Sequence, residues 1–150
     1  MSKRNKQKTP EERRLLAHSQ MAEASATLLR ATSRLATTLH FESVGLTSEF
    51  PIAATRLTDG CITIEFLYGP SEFHVEMLLS HNRRPDLRLS LSELIQHSPI
   101  QAWMNGHRLQ PPGGIESEVS WFGELLLGPC AEAFTAPDSF FKRFPCDDRT

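Results

Sequence analysis

No stretch of this sequence approaches the ~20 consecutive apolar residues that cross a bilayer, and Met1 to Lys8 has no apolar core of the kind a secretion signal carries. These absences exclude a membrane-spanning helix and set the expectation of a cytoplasmic protein. Cysteine occurs only as Cys61, Cys130 and Cys146, with no CxxC pair. So odd and scattered a set points to reduced thiols, not to a disulfide framework. There is no GxGxxG or Walker loop, and Gly113-Gly114 follows two prolines where a phosphate cradle would need a strand. GxSxG and HExxH are missing too, which removes the commonest serine-hydrolase and zinc-protease signatures. No internal repeat or low-complexity stretch is found.

What is present describes an ordinary globular chain. Its 150 residues, 39% hydrophobic and 23% charged, are about one domain's worth and bury a core without a metal or disulfide staple. The expected division is a basic tail over 1–9, one α+β domain over 10–145 and a polar tail over 146–150. A net charge of −2 hides an asymmetry. Residues 1–14 hold six basic side chains against two acidic, and residues 15–150 hold ten against sixteen. An acidic body repels a phosphate backbone and suits a basic protein partner, so nucleic acid is not the expected ligand and the basic leader reads as a solvated end.

Thr9-Pro10-Glu11-Glu12 signals a helix start, with Thr9 and Glu12 spaced as a capping box. Ala17, Met21, Ala24, Leu28, Ala31, Leu35 and Leu39 then fall on one narrow stripe. A helix from 10 to 40 is roughly 46 Å long, against a diameter near 40 Å for a domain of this size. It must overhang, kink or meet a second chain, and the expected oligomerisation residues are Met21, Leu28 and Leu35.

From residue 52 the hydrophobic period becomes two. Strands are expected at Ile52–Leu57, Cys61–Tyr68, Phe73–Leu79 and Leu87–Leu91, joined by turns at Asp59-Gly60, Gly69-Pro70 and Asn82-Arg83. Ser90 and Glu93 make a second capping box, and helices follow near Ser98–Asn105, Ile115–Leu127 and within 130–145. The expected fold is a two-layer α+β sandwich: a long N-terminal helix, an antiparallel meander of three or four strands, and C-terminal helices packed on one sheet face.

The outward row of the meander carries Thr63, Glu65, His74, Glu76 and Arg88, a rigid polar face suited to docking. Glu65 and Glu76 on neighbouring strands could act as a general-acid pair if they lay directly opposite. The simpler expectation is carboxylates countered by Arg56 or Arg88. His74, His81, Glu76 and Asp86 could gather round a metal, but solvated histidines are the expectation. No catalytic set, metal or cofactor is assigned. Trp103, beside a Pro/Gly loop, is the candidate aromatic anchor. The partner-binding set is thus Glu65, His74, Glu76, Arg88 and Trp103.

The layout resembles small bacterial immunity proteins of polymorphic and contact-dependent toxin systems. The resemblance covers roughly residues 39–134. It lies in Phe41-Glu42-Ser43-Val44-Gly45-Leu46 at a helix end, the strands Cys61–Tyr68 and Phe73–Leu79, and the closing Glu124-Leu125-Leu126-Leu127-Gly128-Pro129-Cys130. It implies a non-enzymatic inhibitor that binds and blocks a toxin. Competing expectations are a dimer similar to type III secretion chaperones, a phage counter-defence inhibitor, and a small hydrolase or isomerase using Glu65, His74 and Glu76. An enzyme needs a concave pocket over those three side chains, whereas a binding protein presents them on an open face.

Overall fold

The computed structural model describes residues 9–45, 53–69, 74–107 and 114–144. Helix α1 (Pro10–Leu39) is one unbroken rod, which settles its continuity. The Thr9 hydroxyl accepts from the Glu12 amide and the Glu12 carboxylate accepts from the Thr9 amide, each at 3.0 Å. The rod ends at His40, held in the left-handed region at φ 63°.

Five strands follow in the spatial order of the chain: β1 (Glu42–Gly45), β2 (Ala53–Thr58), β3 (Ile62–Gly69), β4 (His74–His81) and β5 (Arg84–Leu89), all antiparallel. One more strand is present than the period-two signal gave. β1 is a four-residue edge strand with Val44 exposed, so burial never imprinted an alternation on it. At the other end Leu91 leaves the strand and opens α2 (Leu91–Leu94), because the Ser90–Glu93 capping box starts a helix there. Ile52 and Phe73 lie outside the described residues.

Helices α3 (Ser98–Gly106), α4 (Ile115–Leu127), α5 (Glu132–Thr135) and α6 (Pro137–Lys142) complete the chain. Alternation decides which sheet face they cover. Ala53, Thr55 and Leu57, then Ile62, Ile64 and Phe66, then Val75, Met77, Leu79 and His81 all point inward and are buried. Helix α1 packs on β1, β2 and β3, and α4 packs on β4 and on α1. Phe66 meets Phe122 edge to face at 6.0 Å between ring centroids. Gly123 permits the helices to approach closely, since a Cβ there would stand 3.1 Å from Leu35 Cδ1. The expected two-layer α+β architecture is the one observed.

Two polar devices tie α5 and α6 down. Arg143 donates from both terminal nitrogens to the two Glu132 carboxylate oxygens, which lowers the Glu132 pKa below the ordinary range. His81, on the inward row, accepts at Nδ1 from the Arg83 amide and therefore donates from Nε2 to Asp138, at 3.1 Å in both cases. Its ring also meets Phe141 edge to face. The imidazole thus locks the β4–β5 turn to α6 instead of being a solvated surface histidine.

Cys130 is fully buried, and desolvation pushes its thiol up to about 12. A neutral buried thiol is a poor nucleophile. Iodoacetamide at pH 8 is expected to spare Cys130 in the native chain and label it only on unfolding, measurable by mass spectrometry in a urea series. The unfolded thiol ionises near 9 and the folded one near 12, so the unfolded state binds fewer protons between those values. Stability from this group is therefore expected to fall as pH rises through that window.

Candidate functional site

The outward rows of β2 to β5 form the candidate surface. Register places Arg56 opposite Glu65 and Glu65 opposite Leu78, while Thr58, Thr63, Ser80 and Arg88 make the adjacent rung. Arg56 Nη2 donates to one Glu65 oxygen at 3.2 Å, and Arg88 Nη2 donates to the other. One carboxylate, with 14% of its side chain exposed, therefore bridges two half-exposed guanidinium groups. Thr63 donates to Asn82 Oδ1 at 2.7 Å, fixing the β4–β5 turn against β3. These groups, with Ser80 and His81, line an open hollow of about 490 Å³.

Glu76 does not face Glu65. Its cross-strand partner is Leu67, which puts the two carboxylates on a diagonal, ~7–8 Å apart at the backbone. The general-acid pair that direct opposition would have made does not form, and the Glu65 charge is met by arginine. Glu76 is exposed and His74 half-buried. They line a different recess, of about 400 Å³, floored by Met77, Leu78, Leu91 and Phe122. His74 stands opposite Gly69 and Glu65 opposite Leu78, so four residues of strand, or ~13 Å, separate them along the sheet. His81 points to the other face from His74, so the two histidines do not converge. Among the described residues no group of three or more His, Cys, Asp or Glu could hold a metal ion.

Trp103 belongs elsewhere. It sits on α3, stacked on His107 at 4.2 Å and tilted against Trp121 on α4 at 5.5 Å. The Trp121 indole donates to the His107 carbonyl at 2.6 Å, and Trp103 packs against the core. The outward face therefore gathers Glu65, His74, Glu76 and Arg88, and leaves Trp103 in the helical layer. Of the oligomerisation residues, Leu28 and Leu35 are buried in the chain's own core, so neither is open to a second chain. The Met21 side chain lies outside what the structure describes.

Glu118 was not foreseen. It sits fully buried on α4, and its Oε1 accepts from the Val75 amide at 2.7 Å. β5 pairs with β4 only from Leu79 to His81, so Val75 lies on a stretch of β4 that runs past the end of β5. Alternation hides such a residue, because a glutamate one turn into a helix reads as a favourable first-turn acid.

No family model, curated protein or solved structure matches this chain.

Proposed function

We propose that this chain acts by binding another protein, as an immunity-type inhibitor that seats its outward sheet face on the partner. The observation that carries this reading is the splitting of the polar residues. Glu65 lies in one open hollow and is neutralised by Arg56 and Arg88, while His74 and Glu76 lie in another. Acid–base catalysis needs such groups gathered over one substrate atom. A rigid sheet with ion pairs and exposed charges spread across it suits recognition, where complementary potential speeds encounter and rejects wrong partners.

With Glu65 paired, Glu76 on β4 and Asp86 on β5 are exposed carboxylates of this face, and they are the groups that would meet a basic partner there. Immobilised wild-type chain and a Glu76→Lys/Asp86→Lys variant would be incubated with lysate of the source cells, and retained proteins identified by mass spectrometry. A basic protein held by wild type and weakened at least ~10-fold by the variant is expected. Retention that ignores the double substitution removes the sheet face from the reading.

A further inference from the structure

Between Pro10 and Thr27 no described residue of α1 is buried. This stretch runs ~27 Å, a length at which an isolated helix is marginal in water. Along it Glu12, Leu15, Ser19, Ala22, Ala26 and Leu29 recur at alternating spacings of three and four, the repeat of a coiled-coil seam. All six are exposed, with Leu15 at 65% and Leu29 at 39%. They lie on the side of the helix away from Leu28, Ala31 and Leu35, which the core buries. The helix therefore carries, besides the row its own fold buries, a second row of two leucines, two alanines, a serine and a glutamate that the fold leaves uncovered.

We propose that the second row pairs antiparallel with the same row of a second copy of this chain. Charge selects both the occupant and the direction. A parallel pair would set Glu12 against the partner's Glu12 inside the seam, two like charges in contact. An antiparallel pair centred between Gln20 and Met21 instead sets Leu15 level with the partner's Ala26 and Ser19 level with the partner's Ala22. Leu15 then meets an alanine, and the centre of the seam holds only serine and alanine, which lets the backbones approach there. The same alignment sets Glu12 level with the partner's Leu29 and beside the partner's Arg30. Symmetry repeats that ion pair at both ends of the seam. In the protomer Arg30 makes a loose pairing with Glu116, at 3.8 Å with both side chains half-exposed, and a long contact to the Thr27 hydroxyl at 3.5 Å, so its exposed guanidinium can also reach this contact. The seam spans Glu12 to Leu29, ~27 Å, and buries an area at the small end of specific interfaces, on the order of 1,000 Å². The dimer is therefore concentration-dependent. This assignment is independent of what the sheet face binds.

Light scattering after gel filtration of the full-length chain, from about 5 to 500 μM, reads the mass directly. The expected result is a mass that doubles across the series, and a monomer throughout for Ala22→Glu. The variant should keep the urea midpoint of dilute wild type, because Ala22 is exposed and its loss leaves the core intact. A wild-type monomer at 500 μM, or a dimer that Ala22→Glu leaves unchanged, overturns the proposal. Direction is read separately, with Cys61 and Cys146 replaced by serine. Mixing Leu15→Cys with Ala26→Cys chains should give an oxidised cross-link, whereas Leu15→Cys alone should not. Cross-linking of Leu15→Cys with itself overturns the antiparallel register.

Discussion

Phe122→Ala is expected to lose about 3–5 kcal/mol of stability, the usual cost of emptying a buried phenylalanine site. Phe122 is 2% exposed at the junction of both layers, edge-to-face against Phe66 of β3 and beside Trp121 on its own helix, at 5.1 Å. The neighbours that would have to collapse into the vacancy belong to the sheet and to α4, and neither can move alone. Domains of this size hold roughly 5–15 kcal/mol in total, so the variant should unfold at a much lower urea midpoint. Equilibrium denaturation followed by far-ultraviolet circular dichroism measures the shift. A loss under about 1 kcal/mol would mean that α4 does not pack on β3 as described.

Glu118 should separate two roles of a buried carboxylate. In Glu118→Ala the Val75 amide loses its acceptor in a site from which water is excluded, and a buried unsatisfied donor costs about 1–3 kcal/mol. The cavity left by the side chain adds to this, for an expected loss near 3 kcal/mol. Glu118→Gln keeps an oxygen in the same place and is expected to lose only about 1 kcal/mol. Urea midpoints of the two variants against wild type decide the matter. Equal losses would mean that the negative charge itself, not the acceptor atom, is what the site requires. Hydrogen exchange at the Val75 amide gives the local readout, with much faster exchange expected in the alanine variant alone.

The parts of this molecule that sequence made legible are those where one physical rule acts without competition. Thr9 and Glu12 satisfy each other across one helical turn, and the structure has that box. Ile62, Ile64 and Phe66 alternate because one sheet face is buried and the other wet. Residues escaped where a distant contact decided the outcome. Val44 is exposed on a short edge strand, so β1 carries no pattern. His81 reads as a surface histidine until parity places it inward, against Asp138 from a helix 57 positions later. For the candidate site, sequence supplied the face and the counter-ions Arg56 and Arg88. It could not supply register, and register is what separates Glu65 from Glu76. Leu28 and Leu35 were legible as an apolar stripe, but a stripe does not say whether its partner is the chain's own sheet or another chain.

The pairing of α1 with α4 also sets the earliest time at which the first helix can be covered on that side. Leu35 waits for Gly123, about 90 residues later in the chain. At synthesis rates of ~5–20 residues per second, that closing contact becomes available roughly 4–18 s after Leu35 is made. The meander can assemble earlier, since each strand pairs with the next and no long loop has to close first. During that interval the nascent chain shows the side of Leu35 that α4 will cover, so a ribosome stalled just before α4 should display a half-covered first helix, open to chaperones.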